Sequence, residues 1–306
     1  MDNHILKPPR KAATIMLTRL FCEIDDFCQD FLPHWKAQVL EPPTPHAKRN
    51  RPCGLSLSEV MTLWVHYHQS GYHTFKWYYV NHVQVYLKSA FPHLPSYQRF
   101  IERIPEVLVP LTLFMQSRCE ASRGIAFIDS TPLRVCENLR IPRHQTFAET
   151  AGRGKSSTGW FYGFKLHLVV NDQGGIVSFA LSSGNVDDRQ PVPTLMKSVV
   201  GKVFGDAGYL SSALAQQMAQ QGIEWITSLR KNMKKVARST FDQLLLRKRF
   251  IIETIHDQLK NQSQIEHSRH RSLPHYVAHV IAGLIAYSYQ PKKPALNLNP
   301  SALAML

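Results

Sequence analysis

The chain has 306 residues, 44% of them hydrophobic and 19% charged, enough to bury a substantial core as one large domain with a smaller companion. Lysine and arginine outnumber aspartate and glutamate by 36 to 22, and the resulting net charge of +14 favours a polyanionic partner through phosphate neutralisation. Five cysteines in no metal-finger spacing, an N-terminus without an apolar export core, and a late apolar stretch (Tyr276 to Tyr289) too short for a bilayer argue against secreted, zinc-finger and membrane classes, so a cytoplasmic protein is expected.

The first hundred or so residues read as helices. Leu17, Leu20, Phe21, Ile24, Phe27 and Phe31 recur at helical spacing, and a Pro-rich basic link, residues 41–52, then breaks the pattern. Ser56 and Glu59 form a capping box ahead of Val60, Leu63, Trp64 and Tyr67. Tyr79, His82, Val83 and Tyr86 mark another helix, and Pro95-Ser96 opens a short one carrying Tyr97, Phe100, Ile101 and Ile104. Short helices joined by tight turns suit a helix-turn-helix-like module, with Tyr97 to Arg103 in the recognition position and Arg99 facing DNA. A helical cap that only packs on its neighbour is the plainer alternative.

From Gly124 the rhythm changes to strands. Ile125 to Ile128 is an apolar run ending at Asp129. Phe164 to Val170 and Ile176 to Leu181 flank turn residues 171–175 as a hairpin. Val199 to Phe204 reads as a fourth strand, Ser212 to Gln221 as a helix, Ile223 to Leu229 as a fifth strand, and a helix carrying Glu253 closes the order. The expected class is α/β: a helical region over residues 1–120, then a mixed sheet flanked by helices over 121–306, ending in a basic tail.

Three carboxylates stand out against this frame. Asp129 and Asp206 each follow an apolar run and precede small residues, so both are expected at strand ends, where a rigid sheet presents a carboxylate. A lone strand-end aspartate is usually a turn or helix cap; two in matched settings, followed by a helical Glu253, are the parts of a cage for hard divalent cations. At ~100° per residue, Arg249, Glu253, His256 and Lys260 fall on one side of the helix and Ile251, Ile252, Ile255 and Leu259 beside them. Arg249 and Lys260 are therefore candidates for holding substrate phosphate, against the plainer reading of a surface Arg–Glu pair.

The order Asp129, Asp206 within Gly-Asp-Ala-Gly-Tyr, then Arg249-x3-Glu253-x6-Lys260, resembles the DDE transposases of bacterial insertion sequences. Residues 267–272 (His-Ser-Arg-His-Arg-Ser), 283–287 (Gly-Leu-Ile-Ala-Tyr) and 290–294 (Gln-Pro-Lys-Lys-Pro) are similar to the family named for insertion sequence 982. The resemblance implies an RNase H-like core in which Asp129, Asp206 and Glu253 bind two Mg²⁺ or Mn²⁺ ions. It also implies cleavage of transposon ends, attack of the freed 3′-OH on target DNA, and a homodimer or larger synaptic multimer. One departure is visible: where that signature commonly has a tyrosine three residues before the arginine, this chain has Leu246. Two further readings fit the same residues, a catalytically silent DNA-binding regulator derived from a transposase and a nuclease without strand joining.

Several lesser signals are weighed with these. Asp187 and Asp188 rival Asp206 but follow the hairpin, and are expected to shape the site or cap a helix. Gly152-Arg153-Gly154-Lys155-Ser156 lacks the first glycine of a phosphate loop, Glu149 standing in its place, so ATP binding is rejected. It suits a mobile loop touching DNA backbone, with Lys165 nearby, or a plain solvated loop. Arg269 and Arg271 are expected to face phosphates. Trp160 suits a core or hairpin-edge role, or stacking on an unpaired base.

Overall fold

The computed structural model describes residues 11–38, 54–156, 159–230, 232–234, 236–266 and 269–296. The Pro-rich link and His267-Ser268 of the tail motif lie outside them. The chain divides into two compact units, Met1–Ser117 with Pro274–Ala286, and Arg118–Leu273 with Tyr287–Leu306. Residues 274–286, assigned by position to the second region, thus belong with the first.

The first unit is helical: α1 (Lys11–Gln38), α2 (Leu57–Gln69), α3 (Phe75–Tyr78), a π turn (Tyr79–Val83), α4 (Gln84–Tyr86), α5 (Tyr97–Glu102) and α6 (Ile104–Ser117). The expected capping box is present, Ser56 accepting from the Glu59 amide while Glu59 accepts from that of Ser56. Ser96 caps α5 from one side only, its hydroxyl accepting from the Arg99 amide. Aromatic side chains fill the interior, with Trp64, Tyr78, Tyr79 and Phe100 fully buried. Tyr276, Ile281, Leu284 and Ile285 of a late helix are buried as well, and His279 of that helix meets the Trp64 ring at 6.2 Å between centroids.

The second unit is built on a six-stranded sheet. In chain order it contains β1 (Gly124–Cys136), β2 (Gly152–Ser156), β3 (Gly159–Asn171), β4 (Ile176–Ser183), α7 (Val192–Leu195), β5 (Gly201–Gly205), α8 (Ser212–Gln220), β6 (Ile223–Thr227), α9 (Thr240–Lys248) and α10 (Phe250–Asn261); the late helix, α11 (Leu273–Ser288), follows. The strand path is β2-β3-β1-β5-β6, with β4 also on β3. The β1–β3, β2–β3 and β3–β4 pairs are antiparallel, whereas β5 runs parallel to β1 and β6 to β5. The expected sequence of strands and helices is therefore present, with one strand added: β2 occupies the Gly152–Ser156 motif, which is a strand and not a loop.

Alternation along the strands sorts side chains to the two faces. Ala126, Ile128, Val169, Val177 and Val203 form one core with Val192, Leu195, Leu214 and Met218 from the helices. Phe127 and Phe204 point the other way, their rings 5.7 Å apart, on the face where α10 packs over β1. Burial on both sides is the reason β5 reads as an almost unbroken apolar run. The end of α11 is tied down by Tyr287, whose hydroxyl donates to the Gly174 carbonyl, and the segment after it by Lys293, which pairs with Glu120 at 2.7 Å.

In the first unit His66 is buried against the Tyr78 hydroxyl at 2.8 Å. Burial, with His82 adjacent, lowers its pKa from 6.5 to about 4. The unfolded imidazole takes a proton that the folded one refuses, so this group's contribution to stability is present above pH 6.5 and lost as pH falls toward 4. Thermal melts at pH 7 and pH 5 followed by tryptophan fluorescence are expected to show this unit melting lower at pH 5. His66→Gln should narrow the gap; an unchanged gap would place the pH sensitivity elsewhere.

Candidate functional site

The site starts from the register of two parallel strands. Gly124 to Phe127 of β1 lie beside Gly201 to Phe204 of β5 in unbroken step, and continuing that step by two residues brings Asp129 next to Asp206. Neighbouring strands lie about 4.8 Å apart, so the two carboxylates are close neighbours. Asp206 sits where expected, directly after β5, and its Oδ1 accepts from the Gly208 amide at 2.9 Å as the cap of a 3-10 turn, Ala207–Tyr209. Asp129 does not end a strand. β1 runs on to Cys136 in antiparallel pairing with β3, Asp129 standing opposite Leu168. What ends near it is the parallel partner, β5, which leaves Asp129 flanked by sheet on one side only.

The third acid comes from α10. Ile251, Ile252, Ile255 and Leu259 are buried at helical spacing, and their packing turns the next stripe onto Asp129. Arg249, at the junction of α9 and α10, reaches two carboxylates at once: Nη1 lies 3.5 Å from Asp129 Oδ2 and Nη2 is 2.8 Å from Glu253 Oε1. Its side chain is 18% exposed and that of Glu253 56%, so Arg249 is a partly buried cation with one deep and one shallow partner. His256 does not belong to an exposed stripe; it is buried with Nδ1 3.8 Å from Asp129 Oδ2. Burial, then Lys260, Arg249 and His167, lower its pKa to about 3, which keeps the imidazole neutral. Lys260 donates to the Pro132 carbonyl at 2.6 Å and pairs with Glu266 at 3.3 Å. Both cations considered for substrate phosphate are thus engaged with protein acceptors.

A second tier of polar residues lies behind the acids. Lys165 of β3, 13% exposed, pairs with Asp188 at 3.0 Å and donates to the Val186 carbonyl at 2.9 Å. His167, opposite Ser130 in the β1–β3 register, meets the Ser182 hydroxyl at 2.7 Å. Tyr209 is buried, and burial together with Asp129, Asp188 and Asp206 pushes its phenol far above the ordinary range, so it stays protonated. The Asp187-Asp188 doublet is divided. Arg189 clamps Asp187 outward at 2.6 Å, while Asp188 points in toward Lys165 and Tyr209. The signal that could have separated the two is the arginine after the doublet, which folds back over two residues onto Asp187 and leaves Asp188 to the interior.

The remaining candidates are dispersed. Arg99 is exposed on α5 of the first unit, 4.0 Å from Glu102. Arg269 and Arg271 are exposed just before α11. Trp160 is exposed at the start of β3.

The donor chemistry of Asp129 and Asp206, two adjacent carboxylates on a rigid sheet, fits a hard divalent cation. Glu253 is turned to Arg249, and among the described residues no three His, Cys, Asp or Glu side chains form a closed ligand group. Burial pushes the Asp129 carboxyl up to about 7, with Arg249 opposing and Asp206 and Glu253 adding to the rise. Burial beside other acids thus favours the protonated form of Asp129, and a bound cation of sufficient charge would reverse that preference.

Residues 119–273, about half of the chain, match the family model described as transposase DDE domain. No curated protein matches the sequence. Among solved structures, the chain is similar to a piggyBac transposase synaptic complex with hairpin DNA, at 13% identity and a TM-score of 0.38, covering 72% of this chain and 51% of that one. It thus spans about half the length of that protein. It is also similar to the Mos1 strand transfer complex, at 10% identity and a TM-score of 0.23, covering 87% of each chain. For the Mos1 mariner paired end complex with Mn the values are 11% and 0.21, covering 93% of this chain and 100% of that one.

Since Asp129 ionises near 3.8 when unfolded and near 7 when folded, it costs the chain stability as pH rises through that window. Asp129→Asn removes the cost. Calorimetry in EDTA is expected to give the variant a Tm about 2–4 °C above wild type at pH 8, equivalent to ~1 kcal/mol in a unit of this size. The gain should shrink toward pH 5, and a gain equal at both pH values would show that the carboxylate's charge is not its source.

Proposed function

The chain belongs to the transposase DDE domain family, and from that premise we propose that it is a DNA transposase which cuts the ends of an insertion sequence and joins the freed 3′-OH to target DNA. The observation that carries the reading is the β1–β5 register, which sets Asp129 beside Asp206 and within reach of the helix bearing Glu253. The order of β1, β3 and β4 in antiparallel pairing, followed by parallel β5 and β6, with β2 added beside β3, supports an RNase H-like sheet. Similarity of the tail segments supports placing the chain near the insertion sequence 982 family.

Asp129, Asp206 and Glu253 would hold two Mg²⁺ or Mn²⁺ ions, which supply activation of the attacking oxygen and stabilisation of the leaving one. The chain's own groups set the conditions. Asp206 is held in orientation by the Gly208 amide, and Arg249 neutralises Asp129 and Glu253. The half-exposed i,i+4 pair of Arg249 with Glu253 is worth only ~0.3–0.5 kcal/mol, so Glu253 exchanges it readily for a stronger partner. Arg249 then turns its open guanidinium edge to a substrate phosphate. His256 stays neutral beside Asp129 and adds no charge that would compete with a cation. The helical unit, with Arg99 on α5 in a helix-turn-helix-like setting, contributes recognition of DNA ends, and Arg269 and Arg271 contribute phosphate contacts. Work on two ends at once requires a dimer or larger synaptic assembly.

The Arg249–Glu253 pair is also what a catalytically silent DNA-binding descendant would keep, and cleavage separates the two readings. A nicking and joining assay on the element's own inverted repeats with Mg²⁺ is expected to yield cut and joined products. Asp129→Asn, Asp206→Asn and Glu253→Gln should each reduce these to background while end binding stays near wild type. Products that persist in EDTA would overturn the metal reading, cutting without joining would reduce the protein to a nuclease, and activity in Asp206→Asn with loss in Asp188→Asn would move the second ligand to Asp188.

A further inference from the structure

The β2–β3 ribbon carries a feature that the acid cluster does not use. Arg153 and Lys155 stand on β2, with Lys155 directly opposite Trp160 of β3 in the antiparallel register. Trp160 is 51% exposed. The Arg153 guanidinium carbon lies 5.0 Å from the indole centroid and the Lys155 ammonium 5.8 Å, both within cation–π range. The alternation of Gly152-Arg153-Gly154-Lys155 explains how this face is built. A side chain at Gly152 would meet Ser183 and Asn185, and one at Gly154 would meet Phe161 and the Gly184 carbonyl. The glycines therefore seat the strand against residues 183–185, and the two cations between them point outward.

The platform extends beyond the ribbon. Asn138, which opens the 3-10 turn Asn138–Arg143, donates through Nδ2 to the Trp160 carbonyl at 3.0 Å. That turn carries Arg140 and Arg143, both exposed. Over residues 137–155 the exposed charges are Arg140, Arg143, Arg153 and Lys155 against Glu137 and Glu149, a net positive surface around an open aromatic ring.

We propose that Trp160, with Arg153 and Lys155, is a binding site for an unpaired DNA base, the indole stacking on the base and the two cations taking the flanking phosphates. An indole backed by cations is complementary to a nucleotide, which offers a π-face and a phosphate together. A paired base inside a duplex offers no open face, so the occupant is a nucleotide out of the helix: a tail, a nick or an opened end. Because β2 is pinned by its glycines, the platform is preformed, which limits the ordering cost on binding. This inference rests on DNA being the partner, and it does not depend on the metal ligands.

The test uses the full chain in EDTA, so that cleavage plays no part. Binding is measured by anisotropy to a blunt duplex and to the same duplex with a short single-stranded tail containing 2-aminopurine. Wild type is expected to favour the tailed duplex about tenfold and to quench the 2-aminopurine by stacking. Trp160→Ala should remove both effects and leave blunt-duplex binding as it was, while Trp160→Phe keeps most of the preference. Arg153→Ala and Lys155→Ala should each lower the salt slope of tail binding by about 0.7. Equal tail preference in Trp160→Ala and wild type overturns the proposal while DNA binding stands; no binding of either DNA by wild type overturns both. Where Trp160→Ala fails to fold, 2-aminopurine left unquenched by the wild-type chain overturns the stacking site by itself.

Discussion

Everything in the second unit depends on how β1 is set against β5. Both strands begin with a glycine at positive φ, Gly124 at 90° and Gly201 at 84°, and these two residues face each other as the first pair of the parallel ladder. A side chain at Gly201 would run into the Gly124 backbone, so a closely approached glycine pair fixes the register. Five residues later each strand reaches its acid: Gly-Ile-Ala-Phe-Ile-Asp in one and Gly-Lys-Val-Phe-Gly-Asp in the other. Equal spacing from a pinned start makes two carboxylates neighbours. A slip by one residue would turn Phe127 and Phe204 to opposite faces and separate the acids.

The surroundings follow from that juxtaposition. Two adjacent carboxylates with little water repel each other, and the chain answers with one partly buried arginine and with groups that remain uncharged. Arg249 sits on Asp129, His256 and His167 are held neutral by burial, and the Tyr209 phenol is held protonated. Lys165 with Asp188 forms a second charge pair behind. Such a cluster is a poor device for stability, since burying charge is costly even when paired. Departures of this kind from the usual rules for a packed interior are expected at functional or strained sites, in keeping with the function proposed above.

Much of this was legible in the sequence because it rests on local signals. Apolar runs, turn residues and the Ser56–Glu59 box located most of the elements, and the matched settings of Asp129 and Asp206 singled out the pair. The rest depends on partners far along the chain. Asp129 reads as a strand end because Ser130, Thr131 and Pro132 look like a stop, yet pairing with β3 over residues 126–136 carries the strand through them. Gly152 to Ser156 reads as a loop because two glycines depress strand propensity; close seating on residues 183–185 is what a glycine permits and a propensity scale omits. His256 reads as part of a polar stripe from helix geometry alone, and its burial was decided by the sheet beneath α10.

The cations show the same limit and also how it resolves. A net charge of +14 points to a polyanion, but composition does not say which positive groups meet it. In the second unit five partly buried cations are matched to acids: Lys165 to Asp188, Lys202 to Asp242, Arg249 to Asp129 and Glu253, Lys260 to Glu266, Lys293 to Glu120. Those pairs cancel inside the fold and add nothing to the outer field. The surplus resides on exposed residues such as Arg140, Arg143, Arg153, Lys155, Arg269 and Arg271. Charge that must be desolvated is neutralised by the chain itself, and charge that stays in water is what a phosphate backbone meets first. On the proposed function, DNA would meet this unit first at its exposed ribbon and at Arg269 and Arg271, and Arg249 would be free for phosphate only once Glu253 has found another partner.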